Sequence, residues 1–407
     1  MTTLTLLLLL LLDRFGCPHQ ISNEPCVTCQ NSLYWQCKNK YLLSKETLGF
    51  SDRQTLEAVF DLFDQMIMAY KLTECDDLLT EALPHCLKRG REDVFYIKGI
   101  QALAFLRFKQ SRFIECSQLF EEILVLLGPS AALLENMGHA YNAVGDFNKA
   151  EMCFSKAKEL IERGGDEAIR TSNLGGVLLG LGLVKRHRGF AAEALPVLLQ
   201  ALNFYKERHQ EDHSLVAKAA TAVARAYEDL GELDKAEEHL REVVRIFRVT
   251  CGDESPLTAN ALSKLGNLLW ERQKWQQAEE VLLEALQRSA EVDKFSVHLP
   301  TIARDVVFLN RLFSEQRRQR DMGPTVIKHC LLAFDKIRER GEELPDDGDT
   351  AVLHKTLGEL MFLSRDFTNA AKHLKEAERI FITIPGPESL QLREFCSGLL
   401  PYCDLGL

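Results

Sequence analysis

The stretch LENMGHAYNAVGDFNKAEMCFSKA, residues 134–157, carries the pattern that the rest of the chain repeats. Apolar and small residues recur three and four positions apart on both sides of Gly145, a spacing that places them on one face of a helix. Glycine adopts the left-handed backbone of a tight turn more easily than any other residue, so Gly145 marks a turn between two helices. The stretch therefore predicts a helical hairpin with one apolar face.

The same offsets recur along the chain. Clear units begin at Ala131, Gly175, Ala217, Ala259 and Ala351, and weaker copies begin near Leu56 and Tyr96. The first four starts are 44, 42 and 42 residues apart. The stretch 303–340 has lost the pattern, but the distance between its neighbours leaves room for one more hairpin. Because no hairpin can bury its apolar face alone, this repetition indicates an α-solenoid in which each hairpin packs on the next.

Small residues stand where the two helices of each hairpin would meet. They are Gly138, Gly182, Gly266 and Gly358 in the first helix, and Ala150, Ala194, Ala236, Ala278 and Ala370 in the second. A missing or short side chain lets two helices approach closely. The glycines between residues 175 and 182 have the same interpretation, since they follow no strand and match no nucleotide-binding motif.

These units resemble the tetratricopeptide repeat, whose pattern is Trp/Leu-x2-Leu-Gly-x2-Tyr followed by Ala-x3-Phe-x2-Ala. The matching residues here are Leu134, Met137, Gly138, Tyr141, Ala150, Phe154 and Ala157. Over residues 131–300 the longer units are similar to those of kinesin light chains. The resemblance implies an all-α, right-handed superhelix of about seven to eight hairpins over residues 51–384. A leader and cysteine-rich segment (1–50) would precede it, and a capping helix and tail (385–407) would follow.

The resemblance also implies a function, namely a scaffold or adaptor that binds other proteins and catalyses nothing. In peptide-bound members of the family, the first helix of each hairpin lines a concave groove that holds a peptide or helix. The corresponding positions here are His139, Asn142, Arg186, Arg225, Glu228, Asn267 and Trp270, with Leu183, Glu359 and Phe362 at the same offsets. Asparagine can donate to and accept from a peptide backbone, arginine grips carboxylates, and tryptophan often dominates interface energies. Self-association is a further possibility, and no cofactor is expected.

The charge and the motif content of the sequence disfavour other classes of function. The net charge of −10 disfavours a broad nucleic-acid surface, which needs clustered positive charge. No phosphate-binding loop, His-Glu-x2-His helix or nucleophile elbow occurs in the sequence, so an enzyme with an unrecognised site is the less favoured alternative. A tetratricopeptide assembly factor directed to an organelle or lumen is the other alternative.

The N-terminal segment leaves two questions open. The run Leu6 to Leu12 has the length of a signal-peptide core and is too short to span a bilayer. Cysteines inside the repeats favour reduced, buried thiols and hence a cytoplasmic location, whereas a cleaved leader would favour a secretory or organelle lumen. A metal candidate consists of Cys17, Cys26, Cys29 and Cys37, whose spacing suits zinc. The competing interpretations are a disulfide pair, if the chain is exported, and idle thiols, which are favoured over both.

Overall fold

The computed structural model describes residues 27–68, 71–163, 167–209, 212–291, 299–316, 319–339, 344, 346–384 and 386–405. This part of the chain contains 18 helices and no strand, so the predicted all-α solenoid is confirmed. The chain divides into two compact units, Met1–Tyr205 (unit 1) and Lys206–Leu407 (unit 2).

In chain order the helices are α1 (Val27–Leu48), α2 (Arg53–Met68), α3 (Leu72–Leu87), α4 (Val94–Lys109), α5 (Phe113–Leu127), α6 (Ala131–Val144), α7 (Phe147–Arg163), α8 (Glu167–His187), α9 (Ala191–Arg208), α10 (Ser214–Asp229), α11 (Leu233–Cys251), α12 (Pro256–Glu271), α13 (Trp275–Glu291), α14 (Leu299–Glu315), α15 (Gln319–Glu339), α16 (Gly348–Leu363), α17 (Phe367–Thr383) and α18 (Pro387–Leu405). Helices α2 to α17 form eight hairpins, each with an even-numbered first helix. The hairpin predicted within residues 303–340 is α14 with α15.

Side-chain caps fix several helix starts. The Ser130 hydroxyl accepts a hydrogen bond from the Leu133 amide (3.3 Å) at the start of α6. Ser255 does the same for Leu257, and Pro256 occupies the first turn of α12, where its missing amide hydrogen costs nothing. Ser255 and Pro256 therefore determine where helix α12 begins.

The turn between the helices of a hairpin has one geometry in several repeats. Gly145 and Gly231 adopt left-handed φ angles of +88° and +76°, as the turn glycines predict. Ser111, Gln273 and Arg365 hold the same region with φ of 60°, 59° and 66°, although none of them is glycine. The hairpin geometry therefore imposes this conformation, whichever residue stands there.

The helix glycines lie where the sequence predicts close approach. A Cβ on Gly266 would lie 2.6 Å from Leu282 Cγ, and one on Gly358 would lie 2.7 Å from Leu374 Cγ. Both distances are far below ordinary carbon–carbon contact, so only glycine fits without a shift. A Cβ on Gly175 would meet the Tyr205 ring at 2.7 Å, which confirms a packing role for the glycine cluster in α8.

Seven of the nine cysteines whose side chains are described are buried free thiols: Cys75, Cys86, Cys116, Cys153, Cys330, Cys396 and Cys403. Burial raises the pKa of Cys75 to about 12 and that of Cys86 to about 11. Protonated at neutral pH, they act as small apolar core side chains, which is the role that the sequence predicts for the repeat cysteines.

Candidate binding surface on the first helices

In unit 1, the predicted groove residues lie on α6 and α8, and all are partly exposed. Asn142 Oδ1 lies 2.9 Å from His187 Nδ1, so a hydrogen bond joins α6 to α8. The His139 ring stands edge-on to Phe154, with centroids 5.1 Å apart, and its Nε2 lies 4.0 Å from Glu135 Oε1. Arg186 interacts with neighbouring groups from α8. These side chains form a polar layer above the apolar interior of the hairpins.

Glu135 belongs to this layer, although its offset was not among the predicted positions. Its carboxylate occupies the space that a side chain at Gly176 would fill. Burial raises the pKa of Glu135 to about 7. Burial, with the nearby Glu135 as a second cause, raises the pKa of Tyr205 to about 12. Unit 1 thus holds a titratable carboxylate on the first helix of its clearest repeat.

In unit 2, Arg225 and Glu228 lie partly exposed on α10, and both interact with neighbouring groups. Asn267 and Trp270 follow on α12, also partly exposed. The Asn267 side-chain oxygen and the Trp270 indole nitrogen are buried atoms that have no hydrogen-bond partner among the described residues. A buried polar atom without a partner lowers stability, so the fold gains nothing from these two polar atoms.

Trp270 has a second role that its offset does not reveal. Its ring packs edge-on against Trp275, with centroids 6.3 Å apart, and against Phe308 at 5.4 Å. It therefore joins α12 to α13 and α14 within the apolar core of unit 2. Removing the whole side chain would disturb packing as well as any surface it offers.

Lys264 is a functional candidate that the repeat offsets missed. It lies partly buried on α12, and within the described part of the chain its ammonium makes no hydrogen bond and no ion pair. Burial, together with the positive charges of Arg225 and Arg304, lowers the pKa of Lys264 to about 8, while Glu228 acts in the opposite direction. Cations from α10, α12 and α14 thus lie close together.

A buried hydrogen-bonded chain holds one of these cations. Arg304 Nη2 donates to Ser263 Oγ (3.0 Å), and the Ser263 hydroxyl donates in turn to the carboxylate of Asp305, which is fully buried. Burial raises the pKa of Asp305 to about 7, against the opposing effects of Ser263 and Arg304. The Arg304 Nε has no acceptor among the described residues. These hydrogen bonds therefore hold the Arg304 side chain in place but neutralise its positive charge only in part.

A separate histidine pair lies between α16 and α17. His354 Nδ1 and His373 Nδ1 are 2.8 Å apart, and both rings stack on Phe334 of α15 at centroid distances of 5.3 and 5.9 Å. Burial first, and the neighbouring His373 second, lower the pKa of His354 to about 4. Burial also lowers the pKa of His373. Both rings are therefore neutral at physiological pH, and their role is in packing.

The metal candidate cannot be placed as a group. Cys17 and Cys26 lie outside the described residues, and so does the side chain of Cys29. Cys37 is a free, partly buried thiol whose pKa is raised by burial and then by Asp61. Among the side chains that the structure describes, no three histidine, cysteine or acidic residues are grouped to hold a metal ion.

Stacked hairpins with in-phase glycines, shared turns and a polar layer on the first helices define a helical-repeat solenoid. Residues 131–163 match one tetratricopeptide repeat family model, and residues 173–248 and 217–291 match another. These matches identify tetratricopeptide repeats within residues 131–163 and 173–291. No curated protein matches it in sequence.

Several solved structures are similar to this chain at low sequence identity. BtubC (BKLC) from P. vanneervenii is 17% identical, with 61% of this chain and 94% of that one covered and a TM-score of 0.43. A Podosopora anserina putative kinesin light chain with nearly identical TPR-like repeats is 16% identical over 50% of this chain and 92% of its own, with a TM-score of 0.39. The apo form of RapI is 14% identical over 71% and 99%, with a TM-score of 0.46.

Proposed function

We propose that this protein is an adaptor that binds a peptide or helix of another protein along its first helices and catalyses no reaction. Proteins built from tetratricopeptide repeats bind other proteins, which supports the general role. None of the described helices has the length and apolarity that a membrane crossing requires. More specifically, the groove lined by the first helices is the surface that binds the partner.

The observation that carries it is the polar layer on the first helices of unit 2. The hairpin interiors consist mainly of apolar side chains, so burial in the core does not account for Arg225, Lys264 or Asn267. Yet these side chains lie partly buried on neighbouring helices α10 and α12, at a cost in desolvation. A bound peptide that supplies donors, acceptors and charge would offset that cost.

Site-specific photocross-linking tests the surface directly. A benzoylphenylalanine at Asn267 should capture the bound partner, whereas the same probe at Gln276, an exposed position on α13, should not. Equal capture from both positions would place binding elsewhere.

A substitution pair complements the cross-link. Asn267→Ala with Trp270→Phe removes the amide and the indole N–H but keeps an aromatic ring against Trp275 and Phe308. Partner capture should fall, while Gln276→Ala with Glu280→Ala, both exposed on α13, should leave it unchanged. Undiminished capture by the folded Asn267/Trp270 variant would contradict the groove assignment.

We further propose a cytoplasmic location, which the buried reduced thiols support. The run Leu6 to Leu12 lies outside the described residues and keeps the lumenal assembly factor as the alternative. Sequencing the N-terminus of the protein purified from its own cells distinguishes the two, because a cleaved leader would remove that run.

A further inference from the structure

Asp305 is an acidic side chain enclosed in the contact between two first helices of unit 2. It lies on α14 and has no exposed surface. Its Oδ1 accepts a hydrogen bond from the hydroxyl of Ser263, a fully buried residue of α12, and its Oδ2 has no hydrogen-bond partner among the described residues. Asp305 has therefore lost its water and has gained one neutral donor in return.

The same unit shows what a buried carboxylate needs when it is ionised. Glu237 is 2% exposed, and three cations contact its carboxylate: Arg241, Arg272 and Lys274. Burial favours its neutral form, yet these cations outweigh burial and lower the pKa of Glu237 overall. Asp305 has no such partners, because the nearby Arg304 donates from Nη2 to Ser263 Oγ (3.0 Å) instead. This geometry favours a proton on the Asp305 carboxyl group.

The groups around Asp305 agree with this assignment. Helices α12, α13, α15 and α16 pack against α14. Burial raises the pKa of Asp305 to about 7, against the opposing effects of Ser263 from α12 and Arg304 from α14. Arg304 interacts in turn with Lys264 of α12 and with Asp349 of α16. Within the described residues, no charge on α13 or α15 acts on Asp305.

We propose that Asp305 is a proton-binding site in the contact between α12 and α14, and that release of its proton loosens this contact. Protonation removes the charge that burial penalises, so the closed contact keeps the proton at a pH at which an exposed aspartate has lost it. The rings of Trp270 and Phe308 join the same two helices. Two successive hairpins of unit 2 thus meet at a contact that acid tightens and alkali loosens. This role is independent of the proposed partner binding.

The direction of the effect and its pH range follow from linkage. When the contact opens, Asp305 enters water, where the pKa of an aspartate is about 3.9, whereas the closed contact holds the pKa at about 7. Between these values the closed form binds a proton that the open form lacks, so the closed form loses stability as the pH rises. The equilibrium constant for opening should rise about fiftyfold from pH 5 to pH 7, and only about twofold from pH 7 to pH 9.

Hydrogen exchange of the full-length chain at pH 5, 7 and 9 measures this opening. After correction for intrinsic exchange rates, protection of the α12 and α14 amides in the wild type should fall with this pH profile. In Asp305→Asn, whose amide cannot ionise, this part of the fall should vanish, while other titrating groups act equally in both proteins. Asp321→Asn removes an exposed carboxylate from α15 and should keep the wild-type profile. An equal fall in the wild type and in Asp305→Asn would overturn the proposal.

Infrared spectroscopy detects the proton directly in the wild type. A protonated carboxyl group absorbs apart from carboxylates, and ¹³C labelling of the aspartate carboxyl group separates its band from that of Glu135, whose pKa burial also raises to about 7. The labelled chain should show this band at pH 6 and lose it with a midpoint near pH 7. Asp64→Asn and Asp349→Asn lack the other described aspartates whose pKa burial raises, and should keep the band. A folded wild-type chain without the band at pH 6, or loss of the band in either control, would overturn the proposal even if Asp305→Asn fails to fold.

Discussion

Placing one methyl group at Gly266 tests whether the hairpins are held at glycine contact distance. Gly266→Ala adds a Cβ on α12 that would lie 2.6 Å from Leu282 Cγ, 2.7 Å from its Cδ2 and 3.5 Å from its backbone nitrogen. Ordinary carbon–carbon contact is about 3.5–4.0 Å. Because Leu282 is fully buried on α13, either its side chain or the whole helix must move by about 1 Å.

Two opposing effects set the magnitude. Alanine is favoured over glycine inside a helix by about 1 kcal/mol. Overpacking a buried contact typically costs about 1–3 kcal/mol. We therefore expect Gly266→Ala to lower the free energy of unfolding by up to about 2 kcal/mol despite its better helix propensity.

Gly398 provides the matched control. It lies exposed in α18, and a Cβ there would have no atom within 4 Å. Gly398→Ala should therefore raise the free energy of unfolding by up to about 1 kcal/mol. Urea unfolding followed by far-ultraviolet circular dichroism measures both variants, and an unchanged slope identifies a change in stability alone.

The sign of the Gly266 effect decides the outcome. If Gly266→Ala stabilises the protein as Gly398→Ala does, α12 and α13 are not in contact at this glycine and the hairpin packing is wrong. A double-mutant cycle with Leu282→Ala adds detail. Leu282→Ala alone should cost about 2–5 kcal/mol, and the pair should cost less than the sum, since the new methyl enters the space that leucine leaves.

Two further perturbations have expected outcomes. Gln273→Gly should raise the free energy of unfolding by about 1 kcal/mol, because φ of 59° strains glutamine but not glycine; urea unfolding measures it. His354→Gln should make stability less dependent on pH between 6.5 and 4 than in the wild type. The fold depresses the pKa of His354 from 6.5 to about 4, so its contribution is present above pH 6.5 and is lost as the pH falls, by up to about 3 kcal/mol. The groups that face this ring include His373, Glu376 and Arg379, and unfolding midpoints of both proteins across this pH range isolate its share; identical pH profiles would contradict the assignment.

Much of the fold was predictable because hairpin packing leaves a strong mark on sequence. Glycine at positions such as 138 and 266 is almost obligatory where another helix lies at contact distance, and alanine at 278 follows from the same contact. Each of these small residues is a local feature of the sequence, and its recurrence at the same offset gives the register of the repeats. The hairpin α14/α15 lacks these small residues at the repeat offsets, so only the distance between its neighbouring hairpins indicated that it exists.

At some turns the identity of the residue does not predict the backbone conformation. Gly145 signals a left-handed turn, but Gln273 and Arg365 adopt the same conformation without any residue that prefers it. Their backbone is held by the packing of the two helices and by a hydrogen bond across the turn, such as the 2.9 Å bond from the Lys274 amide to the Leu269 carbonyl. A left-handed conformation that tertiary structure imposes on a residue other than glycine costs about 1–2 kcal/mol locally. The identity of that residue does not predict the conformation.

The candidate site was predictable by helix face but not by energetics. Repeat offsets place Asn267 and Trp270 on the first helix, yet only the contact between the Trp270 and Phe308 rings shows that Trp270 is also a packing residue. Lys264 stands three residues before Asn267, where the offset pattern assigns no groove residue. What distinguishes Lys264 is an ammonium without a hydrogen bond or ion pair among the described residues, together with Arg225 and Arg304, each about 40 residues away in sequence on a neighbouring first helix. Charge balance between repeats is a property of the stacked array, so the residues of one repeat cannot reveal it.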